Sequence, residues 1–201
     1  MGWYALFVKN GSEEMVENQI KRKFDNTILT ILVPKRELIE RKEGSLRLVY
    51  RKMFPGYVLL NTNISVNTYY KLKRISGVLN FLNKVPQKVE KNVSDYVYRN
   101  SDKDYFFSIA DEEISPILDL LDEQGILKFS HACIENSKVI IRSGPLKGRD
   151  GIIKKFDRRK KRAKIIVEFL GVRKEFDVGL DILSHDLSQN YKICFNDVSA
   201  H

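Results

Sequence analysis

Four short runs that mix apolar and charged residues follow one another in the last third of the chain. Turn-forming residues separate them, namely Gly144-Pro145, the basic run RRKKR at 158–162, and Gly171. Short strands divided by frequent turns are typical of a small barrel. The sequence therefore predicts a small C-terminal β-barrel over residues 137–184, with RRKKR as the turn between two strands. The four runs are SKVIIRS (137–143), DGIIKKF (150–156), AKIIVEFL (163–170) and VRKEFDV (172–178).

The first 123 residues mix strand and helix patterns. The run from Trp3 to Val8 predicts a buried strand, and the following NGSEE predicts a helix start with Ser12 as its cap. Further strands are predicted at 27–34, on both sides of Pro55-Gly56, and at 78–82. This order favours an α+β sandwich in which helices pack on an antiparallel sheet. A linker at 124–136 and a polar tail at 185–201 complete the predicted organisation.

Apolar spacing assigns an inner face to each predicted helix. After Ser12, the stripe is Val16, Ile20 and Phe24. In the helix that starts near Ser65, it is Val66, Tyr69, Tyr70 and Leu72, with Gly77 at the C-terminal end. In the third helix, which Gly125 closes, it is Ile114, Ile117, Leu118 and Leu121.

Composition limits the classes of function. The 201 residues carry a net charge of +9, which favours polyanionic partners such as nucleic acid. Acidic residues concentrate in 101–124 and basic residues in 136–185, which suggests two modules with different partners. No apolar run approaches the roughly 20 residues that span a bilayer, and no signal peptide is evident, so we expect a cytoplasmic protein. Cys133 and Cys194 are far apart and are expected to be reduced.

No constellation for catalysis is evident in the sequence. His131, His185 and His201 do not cluster with carboxylates at metal-ligand spacing. The motifs GxSxG, GxGxxG and the P-loop are missing from the sequence. We therefore expect a protein that is not an enzyme and that binds neither cofactor nor metal.

The stretch MFPGYVLL at 53–60 interrupts a strong strand with Pro55-Gly56. Phe54 and Tyr57 flank the interruption. Two interpretations stay open from these residues. The aromatic side chains either fill the core at a strand break or line a depression that receives a partner helix.

Several stretches, taken in order, resemble the NusG family of transcription elongation factors. They are WYALFVKNGSEEMVENQI at the N-terminus, FPGYVLL at 54–60, ISGVLNFL at 75–82 and VIIRSGPLKGRDGIIKKFD at 139–157. The resemblance runs from about Trp3 to Ser184 and implies an N-terminal NGN domain (1–123) followed by a KOW barrel (137–184). The GPLKG…KFDRRKKRA form, with DVGLDIL after it, is most similar to the LoaP-type specialised paralogues.

The resemblance implies contacts with RNA polymerase. In the family, an apolar concavity of the NGN domain docks on the clamp helices of the largest polymerase subunit. Phe7, Phe54, Tyr57 and Leu59 fall at those positions. A second contact, with the gate loop of the other large subunit, corresponds to Thr68, Tyr69 and Tyr70.

Basic residues supply candidate nucleic-acid contacts. By resemblance, Lys9, Arg74 and Ile75 fall near the non-template DNA strand, and LoaP-type relatives are associated with an RNA hairpin in the leader of their target operon. The charged hairpin at 35–52 is either a solvated surface or a nucleic-acid contact, and the RRKKR turn is an auxiliary candidate. The further candidates are Arg36, Arg41, Lys42, Arg47, Arg51, Lys52, Lys71, Lys73, Arg158, Arg159, Lys160, Lys161 and Arg162.

We expect a monomeric factor that binds RNA polymerase and promotes processive antitermination at selected operons. A leader RNA hairpin or another nucleic-acid signal would recruit it. Two alternatives stay open, which are a general NusG-type elongation factor and a ribosome-associated KOW protein that binds RNA. In relatives, the KOW barrel contacts ribosomal protein S10 or the termination factor Rho.

Overall fold

The structure, a computed structural model, describes residues 1–24, 29–82, 106, 108–135 and 138–183. Within these ranges the chain forms three α-helices, a 3-10 helix at Asp150–Ile152 and twelve strands. The helices are α1 (Glu13–Lys23), α2 (Val66–Lys73) and α3 (Asp111–Leu118). The strands are β1 (Gly2–Val8), β2 (Leu29–Leu32), β3 (Lys35–Lys42), β4 (Ser45–Lys52), β5 (Tyr57–Thr62), β6 (Val78–Leu82), β7 (Ile126–Leu127), β8 (Ser130–Glu135), β9 (Lys138–Ser143), β10 (Ile153–Asp157), β11 (Arg162–Phe169) and β12 (Val172–Leu183). The predicted tail at 185–201 lies outside the described residues.

A four-stranded sheet in the order β2-β5-β1-β6 forms the centre of the N-terminal half. Its β1–β5 and β1–β6 pairs are antiparallel, as predicted. Side chains alternate across the sheet, so Leu6 and Leu60 face the core that α1 and α2 cover, while Ala5 and Leu59 face the opposite side. The predicted α+β fold is therefore confirmed.

Helix α1 has the predicted length and inner face, but its cap differs. Val16 and Ile20 are fully buried, and Phe24 packs against the same core. Ser12 occupies the N-cap position, yet its side chain makes no capping hydrogen bond. The buried side chain of the first turn is instead Glu13, which points into the protein.

Helix α2 turns only part of the predicted face inward, namely Tyr69 and Leu72. Leu72 is fully buried, whereas Val66 is 37% exposed and Tyr70 is 54% exposed. Tyr69 joins Leu72 because residues three apart share a helix face, and its ring lies 5.5 Å from that of Phe81 on β6. The prediction of Val66 and Tyr70 as inner residues is wrong, because aromatic contacts with β6 set the rotation of the helix.

Helix α3 is shorter than predicted and ends at Leu118, although Ile114 and Ile117 are buried as expected. Pro116 removes one backbone hydrogen bond within the helix, and the helix ends two residues later. The segment at 124–136, predicted as a linker, contains β7, which pairs with β3, and β8, which pairs with β9 and β12. The division of the chain into domains stays a prediction.

The C-terminal half forms a five-stranded sheet in the order β10-β11-β12-β8-β9. Strands β11 and β12 pair antiparallel, and β12 pairs parallel with β8. Every second residue of β11, from Ala163 to Phe169, is buried. Phe176, Val178 and Leu180 of β12 are buried on the same side, so one face of this sheet is continuously apolar.

A third, smaller sheet has the order β4-β3-β7. Strands β3 and β4 form a hairpin that is closed by Glu43 and Gly44, both with positive φ. Most of β4 is exposed to solvent, including Leu46, Leu48 and Tyr50. The predicted charged hairpin at 35–52 is therefore confirmed as a local structure.

Two apolar cores result from this arrangement. The first lies between the four-stranded sheet and helices α1 and α2. The second lies on the other face of the same sheet and includes Phe54, Leu59, Ile114 and Ile117 together with the apolar face of the five-stranded sheet. The two halves of the chain therefore share one core.

The inner face of α2 can be tested with a pair of substitutions. Leu72→Ala empties a fully buried site and is expected to lower the free energy of unfolding by about 2–5 kcal/mol. Val66→Ala, in the first turn of the same helix, is expected to change it by less than about 0.5 kcal/mol. Chemical denaturation of both variants measures the difference, and equal losses would contradict the observed orientation of α2.

Candidate functional site

An aromatic patch lies on the face of the four-stranded sheet that is turned away from α1 and α2. Phe7 of β1 and Tyr57 of β5 are directly opposite each other in register, and their ring centroids are 5.6 Å apart. Phe54 belongs to the turn just before β5. The structure thus brings together Phe7, Phe54, Tyr57 and Leu59, the four residues predicted to contact the polymerase clamp. We call Phe7, Phe54 and Tyr57 the aromatic patch.

The turn at Pro55-Gly56 holds the aromatic patch in place. Gly56 has a φ of +83°, which side chains other than glycine rarely adopt. Its carbonyl oxygen accepts a hydrogen bond from the Val8 N–H at 2.8 Å, and its own N–H donates to Oε1 of Glu13 at 2.7 Å. The turn is therefore fixed to β1 on one side and to the start of α1 on the other.

Glu13 is a fully buried carboxylate beneath this turn. Nζ of Lys52 donates to its Oε2 at 2.7 Å and also pairs with Glu14 at 2.8 Å. Burial by itself would raise the pKa of the Glu13 carboxyl, but the hydrogen bonds from Lys52 and Gly56 outweigh burial and hold that pKa below its usual value. Glu13 therefore stays ionised at neutral pH and links α1, β4 and the turn.

The C-terminal sheet covers the aromatic patch. The ring of Phe169, from β11, stacks on Phe54 with a centroid distance of 4.1 Å and meets Tyr57 edge-on at 5.4 Å. Phe176, from β12, meets Phe54 edge-on at 6.0 Å. Phe54 is only 3% exposed as a result, and Leu59 is fully buried.

The sequence predicted an apolar concavity open to a partner, and the structure corrects this prediction. Phe7, at 38%, keeps substantial exposure, whereas Phe54 and Leu59 lie inside the shared core. Both interpretations of FPGY therefore hold in part. The aromatic side chains fill a core at a strand break, and that core is a depression that receives a segment of the same chain.

Polar contacts surround this aromatic contact. Nη2 of Arg162 donates to the Ile39 carbonyl oxygen at 3.2 Å, and the Gly171 N–H donates to Oε1 of Glu113 at 2.7 Å. Nη2 of Arg149 pairs with Asp119 at 3.3 Å. These contacts join the hairpin and α3 to the five-stranded sheet.

The second predicted polymerase contact lies on the opposite side of the sheet. Thr68, Tyr69 and Tyr70 belong to α2, where Oγ of Ser65 accepts from the Thr68 N–H at 3.2 Å and caps the helix. Tyr69 packs between Phe81 and Phe106, and Tyr70 is exposed. The structure leaves this face uncovered by the C-terminal sheet.

Four of the predicted nucleic-acid contacts gather at the end of α2. The Lys9 N–H donates to the Gly77 carbonyl oxygen at 2.8 Å, which places the end of β1 beside the turn that follows α2. Lys9, Lys71, Lys73 and Arg74 are all exposed. Ile75 is only 2% exposed and packs with the helix-side core. We therefore remove Ile75 from the predicted contacts, because its side chain cannot reach a strand from the core.

The cations of the hairpin fall into two groups. Lys52 is engaged by Glu13 and Glu14, and Arg51 pairs with Glu40 at 2.6 Å. Arg36 lies under the C-terminal sheet with its guanidinium 4.8 Å from the centre of the Phe176 ring. Burial lowers the pKa of Arg36. Lys52 and Arg36 are held by the protein, which corrects their assignment, whereas Arg41, Lys42, Arg47 and Arg51 are exposed.

The cations of the RRKKR turn fall into the same two groups. Lys161 pairs with Asp181 at 2.9 Å, and Arg162 pairs with Asp177 at 3.4 Å. Arg158, Arg159 and Lys160 are exposed. Three of the five cations therefore face solvent, while the other two fix the turn to β12.

A family model described as "Transcription termination factor nusG" matches residues 1–117. The chain belongs to the NusG family. The transcription termination/antitermination protein NusG of Buchnera aphidicola (subspecies Baizongia pistaciae) is 25% identical over 175 residues, which cover 84% of this chain and 87% of that protein. NusG of Staphylococcus aureus (strain Mu50) is 22% identical over 187 residues, which cover 89% of this chain and 92% of that protein.

A solved structure described as "Domain interaction in Thermotoga maritima NusG" aligns with a TM-score of 0.48 and 18% sequence identity. The alignment covers 89% of this chain and 93% of that one. NusG-family proteins are transcription factors that are not enzymes, so the prediction of a non-enzymatic protein is confirmed. No helix in the described part of the chain is long and apolar enough to cross a membrane. The assignment to the LoaP-type branch stays a prediction.

Sequence reasoning missed Glu13 and Phe169, which hold this NusG-family site together. Helix-dipole preferences predicted an acidic residue in the first turn of α1, but not its hydrogen bond to a turn that lies far along the chain. The alternation along β11 could have placed Phe169 on a buried face. No local signal shows that this face meets Phe54.

The ion pair beneath the turn predicts a pH dependence. The pKa of Glu13 is lower in the folded protein than in the unfolded chain. Its contribution to the free energy of unfolding is therefore complete above the unfolded carboxyl pKa of about 4.3, and it is lost as the pH falls through the pKa of the folded protein. Glu13→Gln is expected to lower the free energy of unfolding by about 1–3 kcal/mol at neutral pH and by less in acid. Denaturant unfolding at pH 7 and below pH 4 measures both values.

Glu17→Gln on the same helix is the matched control, because Glu17 makes an exposed pair with Lys21 at 2.6 Å. Exposed pairs contribute little to stability, so this variant is expected to follow the wild type at every pH. A Glu13→Gln variant with the same pH profile as the wild type would contradict the role of the Glu13 carboxylate.

Proposed function

We propose that this protein is a specialised NusG-type elongation factor that binds RNA polymerase through the aromatic patch and promotes antitermination at selected operons. The observation that carries the proposal is the apolar depression around Phe54, which is built on a rigid turn and is covered by another part of the same chain. An apolar groove of this kind suits the apolar face of a partner helix. The clamp helices of the polymerase are the partner that the family resemblance implies.

The covering of the aromatic patch by the C-terminal sheet supports a specialised role over a general one. Phe54 cannot contact the polymerase while Phe169 stacks on it at 4.1 Å. Polymerase would therefore bind an open arrangement in which the C-terminal sheet has moved away, and its apparent affinity falls with the fraction of open protein. A factor that is mostly covered binds polymerase weakly, so it acts where an additional signal raises its local concentration beside the polymerase, whereas a general factor needs no such restriction.

The border between the two halves is suited to opening. Nε and Nη1 of Arg36 are buried there without a hydrogen-bond acceptor among the described residues. A buried donor without an acceptor costs about 1–3 kcal/mol. The apolar contact around Phe54 offsets this cost in the closed arrangement, and Arg36 regains water in the open one.

The exposed cations support a nucleic-acid signal. Arg41, Lys42 and Arg47 lie on the hairpin, and Arg158 and Arg159 lie on the RRKKR turn. Such residues bind phosphates without regard to sequence. We propose a leader RNA hairpin or the non-template DNA strand as the signal.

The bacterial cytoplasm is the expected location and a monomer the expected state. Ribosomal protein S10 is a further candidate partner of the C-terminal barrel once that barrel has moved away from the aromatic patch.

The proposal predicts opposite effects for the two halves of one ring stack. Phe169→Ala weakens the packing of the C-terminal sheet on the aromatic patch and changes no residue of the N-terminal sheet. It is expected to raise affinity for a purified polymerase elongation complex by about tenfold. Phe54→Ala removes part of the binding surface itself and is expected to abolish binding and readthrough of an intrinsic terminator. Fluorescence anisotropy measures the first quantity, and single-round transcription measures the second.

Val172→Ala is the matched control for the cover, since Val172 starts β12 and is 52% exposed. It is expected to bind polymerase as the wild type does, and circular dichroism checks that all variants fold. Unchanged affinity for Phe169→Ala would show that the barrel does not restrict access. Normal readthrough with Phe54→Ala would show that the aromatic patch is not the polymerase surface.

A further inference from the structure

Two exposed basic segments of the protein face each other across a cleft. One wall is the end of the β3–β4 hairpin, and the other is the β10–β11 turn that contains RRKKR. The cleft has a volume of about 800 Å³, and five of its nine lining residues are basic while two are acidic. We call it the interdomain cleft. The lining residues are Ile39, Glu40, Arg41, Leu46, Asp157, Arg159, Lys160, Lys161 and Arg162.

Arg162 holds the two walls together. Its Nη2 donates to the Ile39 carbonyl oxygen at 3.2 Å and lies 3.8 Å from Glu40, while its Nη1 lies 3.4 Å from Asp177. Its guanidinium thus joins β3 to β12. The cleft has this shape only while the C-terminal sheet covers the aromatic patch, because the two walls come from the two halves that separate on opening.

Free positive charge remains on both walls. Arg41 on the hairpin and Arg159 and Lys160 on the turn are exposed, and none of them makes an ion pair within the described part of the chain. Like charges on facing walls repel each other in water. A ligand that places negative charge between them removes this repulsion.

An exposed aromatic ring extends the cleft. A smaller hollow of about 230 Å³ shares Asp157, Lys160 and Arg162 with the cleft and is also lined by Phe156 and Lys155. Phe156 is 43% exposed, although it is a large apolar residue in the middle of a strand. Cations that flank an exposed ring are the arrangement that binds an unpaired strand, since phosphates meet the cations and a base stacks on the ring.

We propose that the interdomain cleft binds an unpaired nucleic-acid strand, and that this strand holds the protein in its closed arrangement. The proposal rests on the nucleic-acid binding proposed above and adds its place and its consequence. The strand contacts both walls, so it binds the closed protein more tightly than the open one and shifts the population towards it. By linkage, strand and polymerase weaken each other's binding. A factor bound to such a strand therefore reaches the polymerase with its aromatic patch still covered. Docking on the polymerase then releases the strand.

Variants on each wall test the site. The probe is a short fluorescein-labelled oligouridylate, with its deoxy counterpart as the second arm that distinguishes RNA from DNA. Arg41→Ser, the double variant Arg159→Ser/Lys160→Ser, and Phe156→Ala are each expected to weaken binding about five- to hundredfold. The cation variants are also expected to reduce the salt dependence of binding, whereas Phe156→Ala leaves it unchanged.

Matched controls test whether probe binding depends on the cleft residues or on the net positive charge of the protein. Arg22→Ser removes an exposed cation from α1, and Arg173→Ser removes one from the C-terminal sheet. Both residues lie outside the cleft lining, so both variants are expected to bind the probe within about twofold of the wild type. Equal losses at control and cleft positions would overturn the site while leaving nucleic-acid binding intact.

The coupling has its own test. Phe169 is not among the residues that line the cleft, but Phe169→Ala is expected to open the protein. The variant is therefore expected to weaken oligouridylate binding while it strengthens polymerase binding. The oligouridylate in excess is expected to lower the affinity of the wild type for polymerase, and to do so less for Arg41→Ser. Probe binding that Phe169→Ala leaves unchanged would overturn the link to the closed arrangement.

The outcomes distinguish this inference from the function on which it rests. If the wild type binds neither oligonucleotide, the proposed nucleic-acid signal fails together with the cleft. If the wild type binds the probe but variants on only one wall lose affinity, the two walls do not form one site. Polymerase binding by Phe54 and Phe169 variants stays informative in either case.

Discussion

The stack of Phe54 on Phe169 determines most of what this structure can do. The two rings are 4.1 Å apart and join the apolar faces of two sheets into one core. Phe54 reaches that position because the Pro55-Gly56 turn is fixed by Val8 and Glu13. The residues that stabilise the turn therefore also set the surface that the C-terminal sheet covers, and stability and function depend on the same contacts.

If polymerase binds the aromatic patch as we propose, the balance between closed and open arrangements is the central property of this NusG-family protein. Apolar contacts and the cation–π contact of Arg36 with Phe176 favour the closed arrangement. The buried Nε and Nη1 groups of Arg36, which have no acceptor among the described residues, oppose it. Under the proposed function, the polymerase would compete for the same apolar surface. A strand in the interdomain cleft would act in the opposite direction, since it contacts residues that are close together only in the closed protein. Each ligand can shift the balance only by its differential affinity for the two arrangements.

Much of the fold could be predicted because its determinants are local. The alternation along β11, the stripe of Val16 and Ile20 in α1, and the glycines of the turns each follow from a few neighbouring residues. The predictions that failed depended on distant contacts. Helix α2 is rotated because Tyr69 packs on Phe81, and Lys52 is unavailable to nucleic acid because Glu13 and Glu14 hold it. Charge alone does not distinguish a cation that pairs within the protein from one that faces solvent.

The sequence by itself determined the family, the α+β class, the small C-terminal sheet and the basic character of the hairpin and the RRKKR turn. These depend on residue spacing and composition, which a single chain segment carries. Only the tertiary structure decided that Phe169 covers Phe54, that Arg162 joins β3 to β12, and that two basic segments form one cleft. Such contacts join segments that are far apart in the chain, and the packing of whole sheets, rather than any local pattern, brings them together.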